Sequence, residues 1–450
     1  MSLLTHRFLR LLPREMGLLA GGNLASQLCS LAAMPLLTRW CNVTDFGFYQ
    51  LYATTVTVSG MLVCARYEQA ILVPKETETA RGLCILSSII SVGATGIIVG
   101  LIWVIKPALG NGDWRKLADW APLLGLSLAA GGVTSAVTQY YIRLGRFSSI
   151  VRCRIAQSLG TVTIQVGGSA LGLGGLALLS GDAIGRVCGV VALVGYPILK
   201  GEVIRPMIRW QSLRGLAVQF SRFPLISAPS AIVNAAAISV PVVLLERFYG
   251  THVVGLFSLL ERVMGMPSTL IGQPLSQVFS HRLCDSLGKA DGRAALAAMK
   301  NTARLASFLG GLPFTALLIG GPQLFEFVFG PRWGNAGQLA QLLAIPYFIS
   351  YVFWPTMPTL TMLNRLRLQL IWDVARIGVL SAVLVVIGMR NMSSAMAIAA
   401  IPVIMGSMYV LHFILSWRAV RGRNDSDKPQ IHLDTQEDSL LSRGSTGYHD

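Results

Sequence analysis

The chain has 450 residues, 53% of them hydrophobic and only 13% charged, with a net charge of +16. Soluble globular chains carry about 25% charged residues. Half that fraction over this length excludes a soluble enzyme and puts most of the chain against lipid or other apolar helices. The seven cysteines are scattered without a C-x-x-C pair, so neither a disulfide framework nor a metal centre is expected, and no cofactor is expected either.

The first apolar run, Gly17–Thr38, follows Arg7, Arg10 and Arg14. It resembles a secretory signal, but it is long enough to span and no A-x-A cleavage site follows it. It is read as a retained first transmembrane helix. Eleven more windows follow in chain order: Gly47–Ala65, Gly82–Ile105, Trp120–Tyr140, Ile155–Leu173, Gly175–Leu199, Phe223–Leu245, Val253–Phe279, Leu305–Gly321, Ala336–Leu360, Leu368–Gly388 and Ala395–Trp417. Each is near the ~20 residues that cross ~30 Å of hydrocarbon as a helix. They are too long and too continuous for barrel strands. The split between the fifth and sixth rests on a very short turn at Gly172, Gly174 and Gly175. The fold class is therefore all-α and polytopic, with about twelve transmembrane helices.

With the N-terminus in the cytoplasm, the outside loops hold only Arg39, Lys106, Arg115, Lys116, Arg247, Arg332 and Arg390. Arg186, Arg262 and Arg376 lie within expected helices, and the rest of the 37 Lys and Arg fall inside. This bias orients the chain with both termini cytoplasmic. The positive charge is thus a topology signal and not a nucleic-acid footprint. Residues 200–222 and 281–304 read as basic amphipathic segments at the anionic inner leaflet. The tail, 418–450, is polar and expected to be disordered.

Leu37-Thr38-Arg39 … Gly47-Phe48-Tyr49-Gln50-Leu51 has a partner in Leu245-Glu246-Arg247 … Gly255-Leu256-Phe257-Ser258-Leu259, with the same Arg-to-Gly spacing. The first copy joins helices one and two, the second joins seven and eight. Six helices per half make the halves enter the membrane alike, as parallel repeats do in transporters. The expected division is a bundle over 1–199, a cytoplasmic linker over 200–222, a second bundle over 223–417, and the tail.

Ionisable groups near the bilayer centre cost about 2.5–3.5 kcal/mol on insertion scales and so face a cavity or a partner. Arg186 is the deepest, and Asp182 one turn earlier shares its helix face. Asp373 and Arg376 share a face of the eleventh helix. Glu261 and Arg262 are adjacent and point to different faces, so one local pair does not account for both. Arg66 and Glu68 sit at the inner end of the second helix. The arginines would bind an anionic head group, and the carboxylates would carry a coupling H+ or Na+. The plainer readings are structural ion pairs for Asp182–Arg186, an interfacial site for Arg66 and Glu68, and snorkelling for Arg376. Pro224, Pro229 and Pro241 in the seventh helix and Pro346, Pro355 and Pro358 in the tenth are expected to kink helices. No phosphate loop, H-E-x-x-H or G-x-S-x-G appears, and no loop is large enough for a catalytic domain.

Leu37-Thr38-Arg39, Asp45-Phe46-Gly47 and Arg66-Tyr67-Glu68-Gln69-Ala70-Ile71 resemble the opening of bacterial O-antigen and capsule flippases. These form the polysaccharide-transporter branch of the multidrug/oligosaccharidyl-lipid/polysaccharide superfamily. Phe223-Pro224, Phe248-Tyr249-Gly250 … Gly255-Leu256-Phe257 and Met266-Pro267 … Ile271-Gly272 … Gln277-Val278-Phe279 resemble its second half. The resemblance implies two six-helix bundles around a central cavity in the bacterial inner membrane. It implies a polyprenyl-diphosphate-linked oligosaccharide as substrate, a cation gradient as driving force, and a polysaccharide polymerase with chain-length machinery as partners. Assigning Arg66, Arg186, Arg262 and Arg376 to the substrate, and Glu68, Asp182, Glu261 and Asp373 to the ion or to ion pairs, rests on depth and spacing. The alternatives are a cation-coupled drug antiporter of the same fold, a membrane-embedded polymerase or glycosyltransferase, and an assembly scaffold.

Overall fold

The computed structural model describes residues 14–422 except 75, 110, 111, 196–209, 222, 290 and 364. No strand occurs among the described residues. In the first half, α1 (Arg14–Trp40), α2 (Val43–Gly60), α4 (Thr77–Ile105), α6 (Ala121–Arg143), α7 (Phe147–Ala170) and α8 (Gly175–Val190) are the long helices. Short helices α3 (Tyr67–Ala70) and α5 (Asp113–Asp119) join them. After α9 (Trp210–Gln219), the second half holds α10 (Ala228–Tyr249), α11 (Thr251–Pro267), α12 (Gln273–Gly288), α13 (Gly292–Phe329), α14 (Gly334–Phe353), α15 (Thr359–Met362), α16 (Leu366–Met389) and α17 (Ser394–Arg421). A wide turn, Ser268–Gly272, joins α11 and α12 into one span.

The twelve expected windows each coincide with a long helix or the α11–α12 pair. Eight spans pass a stringent test of length and apolarity. Helices α1, α2, α7 and α10 fall short of it and complete the bundle. In α2 the reason is visible as Thr54, Thr55, Thr57 and Ser59, of which Thr55 and Thr57 satisfy their hydroxyls on the preceding turn. Lipid-facing surface appears as exposed Ile97, Leu101 and Val104 on α4 and Phe308, Leu312 and Ile319 on α13.

Several boundaries differ from the sequence reading. The second window stops at Gly60, because Ala65 and Arg66 both take positive φ (47° and 63°) and turn the chain. The tenth stops at Phe353, because Pro355 and Pro358 end the helix instead of kinking it. The sharpest break in a long helix lies elsewhere, at Gly320 in α13 (φ −127°, ψ 27°), two residues before Pro322. Residues 281–304, apart from 290, continue α12 and open α13, and they are held by a small core of Phe279, Leu283, Met299 and Val420. The turn at Gly172 and Gly174 is as short as expected, with φ of 80° and 51°. Residues 200–209 and 222 of the expected linker loop, and the tail beyond 422, lie outside the described residues. Within the linker, α9 buries Leu213 against the core of the first half.

The two copies of the internal repeat meet face to face. Helix α2 packs on α11. A Cβ on Gly47 would strike the Thr251 carbonyl oxygen, and a Cβ on Gly255 would strike the Val43 carbonyl oxygen. Val43 and Thr251 each lie four residues before the repeat glycine of their own helix. The contact is therefore reciprocal, as a two-fold relation between the halves requires. It lies at the end that the charge bias places outside. Further bonds join the halves there. Trp114 donates to Glu246 at 2.7 Å. Thr251 donates to Asp113. Arg332 donates to Asn42 at 2.9 Å. Trp333 donates to the Thr38 carbonyl at 3.0 Å and meets Phe46 edge-on at 5.3 Å.

Gly47→Ala and Gly255→Ala are each expected to destabilise the protein by about 1–3 kcal/mol, the usual cost of overpacking. Because both relieve or burden one contact, the double variant is expected to cost less than the sum. Thermal unfolding in detergent measures this, and strict additivity would show that the glycines do not share the contact.

Candidate functional site

Helix packing aims the polar residues of α8. Gly181, Gly185 and Gly189 form a smooth stripe against α7, where a Cβ would strike Gln165, Thr161 and Gln157. Asp182 and Arg186 lie off this stripe and turn toward α6 and α2. There Arg186 Nε donates to Asp182 Oδ2 at 2.8 Å and Nη2 to Oδ1 at 3.3 Å. Asp182 Oδ2 also accepts from Ser127 Oγ at 3.1 Å, and Ser127 bonds Tyr52 at 2.7 Å. The fork geometry fixes the guanidinium plane. The expected pair therefore forms, and it is braced by two hydroxyls the sequence reading did not single out.

Arg262 enters from the other half. Its guanidinium lies 5.7 Å from the Tyr49 ring centroid, and Nη1 approaches Met34 Sδ at 3.1 Å. Tyr49 stacks on Tyr52, the same tyrosine that braces Ser127. Tyr49 is also within electrostatic range of Arg186 and Asp182. Arg262 thus caps an aromatic residue of the opposite half, next to the Tyr52 that braces the Asp182–Arg186 pair through Ser127.

Glu261, next to Arg262, points away from this group, as adjacency requires. Its carboxylate accepts from Tyr347 of α14 at 2.8 Å. Glu261 is exposed yet lies deep among the helices. That combination marks a side chain facing an internal space. Tyr409 of α17 lies within electrostatic range of Glu261, Asp373 and Arg376, which gathers these three around a second tyrosine. Arg376 pairs with Asp373 at 3.5 Å and lies 4.9 Å from the Trp372 ring centroid. Asp373 accepts from Gln369 at 3.1 Å, and Gln369 bonds His412 at 3.0 Å. This network holds Asp373 from one side while Arg376 holds it from the other.

Arg186, Arg262 and Arg376 lie ten or eleven residues after the first residues of α8, α11 and α16. At 1.5 Å per residue this is about 15–17 Å, close to half of a ~30 Å hydrocarbon layer. Arg66 and Glu68 are placed differently. They form a 3.6 Å pair in the turn between α2 and α4, apart from both groups. Burial raises the Glu68 carboxyl above its usual range. Among the described residues no His, Cys, Asp or Glu group could hold a metal.

The tyrosines, Ser127, Gln369 and His412 were not legible as site residues. The available signal was weak: Tyr49 falls inside the repeat copy that ends Phe48-Tyr49-Gln50, and His412 sits mid-helix in the twelfth window.

A twelve-span helical protein with internal charge clusters defines the class of polytopic helical membrane proteins, and solved structures of the same fold are known. The chain is 15% identical to a multidrug resistance transporter of the MATE family and MOP superfamily, in its inward-facing conformation, with 95% of each chain covered and a TM-score of 0.59. It is 13% identical to the lipid II flippase MurJ in an inward closed conformation, over 89% of this chain and 87% of that one, with a TM-score of 0.66. A MOP superfamily transporter from Pyrococcus furiosus gives 12% identity, 91% and 94% coverage and a TM-score of 0.51. At these identities the likeness is one of fold. No curated protein sequence matches the chain. Residues 36–338 match the profile of the family described as polysaccharide biosynthesis protein, and the chain belongs to that family. Family and fold together make it a polytopic membrane protein of polysaccharide biosynthesis with the fold seen in the MATE and lipid II flippase structures.

Asp182→Ala leaves Arg186 unpaired in the membrane interior. Breaking a sealed pair costs about 3–5 kcal/mol; the loss here is expected to be smaller, because 26% of the Arg186 side chain remains exposed. Replacing both residues, Asp182→Leu with Arg186→Met, is expected to restore most of the stability. Thermal melts of the three proteins in detergent decide this, and a double variant no better than Asp182→Ala would refute the ion-pair account.

Proposed function

We propose that the protein carries a polyprenyl-diphosphate-linked oligosaccharide across the bacterial inner membrane, from the cytoplasmic to the outer leaflet, by alternating access between its halves. The observation that carries this reading is the placement of three arginines well inside long helices, with Arg262 lying over Tyr49 of the opposite half and Arg186 paired one residue layer away through the Tyr52–Ser127–Asp182 chain. A diphosphate head is the anion such a site would hold, since guanidinium groups bind phosphate oxygens with fixed fork geometry. Tyr49 and Trp372 offer faces on which a sugar ring could rest. The polyprenyl tail would stay in lipid. Family membership supports a role in polysaccharide biosynthesis, and the lipid II flippase shares the fold. A polysaccharide polymerase and its chain-length machinery would then use the product.

Glu261 is the best candidate for coupling to H+ or Na+, because it faces the internal space and the partner found for it is a neutral hydroxyl. Asp182 and Asp373 are held by arginines, which favours positioning roles for both. Arg66 and Glu68, away from the two groups, fit the inner rim of the path and not its centre. Glu261 also favours a second reading, export of organic cations, in which a carboxylate meets the substrate directly.

In liposomes, purified protein is expected to transfer a fluorescent polyprenyl-diphosphate oligosaccharide between leaflets. Arg262→Gln, which breaks no ion pair seen in the structure, is expected to lower the rate at least tenfold while leaving the melting temperature near wild type. Full transfer by Arg262→Gln would remove that residue from the substrate path. Absence of transfer with the host's own glycolipid, together with uptake of a cationic dye, would favour the second reading.

A further inference from the structure

On the outer wall of the first half, α4 and α6 diverge to leave a groove of about 620 Å³. Arg81 and Tyr140 stand at one end, and Val92, Gly93 and Val133 at the other, with Val194 along the side. Apart from Arg81 and the hydroxyls, the lining is aliphatic. The charge bias places the Arg81 end at the cytoplasmic face. From Arg81 to Gly93 is twelve residues of helix, about 18 Å at 1.5 Å per residue. This is close to half of the ~30 Å hydrocarbon layer. The lined part of the groove thus runs about half a bilayer's depth from Arg81.

We infer that this groove is a binding site for one anionic phospholipid of the inner leaflet, its acyl chain along α4 and its phosphate at Arg81. Three observations fit that occupant. Its length matches a single acyl chain, whereas most of a polyprenyl tail would extend past the residues that line it. The cation stands where the phosphate would be, and its carboxylate neighbour competes weakly: Glu78 is 3.8 Å away with 89% of its side chain exposed. Tyr140 lies beside it at the depth where aromatic side chains with polar tips settle in membranes. Space for the chain is real at the Gly93 end, since a Cβ built on Gly93 meets no atom within 4 Å. That property also supplies a clean variant, because a large side chain at Gly93 fills the groove without striking the protein.

The site does not depend on the transport reading, and its test uses no transport assay. Full-length protein, stripped in detergent and re-exposed to equal phosphatidylglycerol and phosphatidylcholine, is analysed by native mass spectrometry. Wild type and Gly93→Ala are expected to retain one phosphatidylglycerol. Gly93→Trp is expected to lower that occupancy at least tenfold with an unchanged melting temperature. Arg81→Gln is expected to abolish the preference for phosphatidylglycerol over phosphatidylcholine. Equal retention of the two lipids by wild type, or full retention by Gly93→Trp, would overturn the proposal. So would displacement of the lipid by a short polyprenyl phosphate, which would make the groove a substrate-tail site. Finding no lipid on wild type would equally overturn it and leave the groove to the protein's own residues.

Discussion

The close approach of α2 and α11 at Gly47 and Gly255 is the constraint around which the halves are arranged. Neither helix can carry a Cβ at that point, because the partner's carbonyl oxygen occupies the space. Bringing two helix backbones together in lipid needs small residues, since apolar side chains gain little by leaving one hydrocarbon phase for another. Once the glycines meet, the neighbouring residues fall into register. Phe46 meets Trp333, Trp114 reaches Glu246, and Asp113 reaches Thr251. These polar bonds lie on short connecting segments at one membrane face, where water competes with them. On the proposed reading this makes them suited to a seal that must open. The glycine contact itself is apolar and close, and it supplies a pivot more readily than a latch.

Charge inside the membrane is managed by the same economy of neighbours. Asp182 is held at once by Arg186 and by the Tyr52–Ser127 hydroxyl pair, and Asp373 by Arg376 and by Gln369 with His412 behind it. In each case a carboxylate receives a guanidinium and a neutral donor. This arrangement satisfies the acceptor lone pairs and leaves part of the arginine's donor set directed elsewhere. A buried pair with every donor consumed would be a structural element only. The partial exposure of Arg186 keeps binding capacity within the helix bundle.

The periodic and compositional features were readable in the chain. Twelve windows, the Gly172–Gly174 turn, the repeat and the arginines well inside long helices all follow from apolar run length, glycine placement and charge position, which are local properties. What escaped was set by partners distant in sequence. Tyr52 braces Asp182 across 130 positions, and Tyr347 reaches Glu261 from another helix; no spacing rule connects them. Helix ends escaped for a different reason. Apolar runs continue through Met61–Cys64 and through Trp354–Leu360, and hydropathy does not register the backbone turn imposed by left-handed Ala65 and Arg66 or by Pro355 and Pro358.

The Glu261–Arg262 dipeptide joins these themes. Successive helix residues point about 100° apart, so one peptide unit presents a carboxylate to the Tyr347–Tyr409 side and a guanidinium to the Tyr49 side. Helix α11 is also the helix that carries Gly255. A rotation of α11 about the glycine contact would therefore move both charges together, one toward and one away from its aromatic neighbours. Protonation or cation binding at Glu261 would change the cost of exposing that face, and the change would be felt at Arg262 without any contact between the two side chains. On the proposed reading, this gives ion and substrate opposite faces of one rigid element, so that their coupling needs no relay through the rest of the fold.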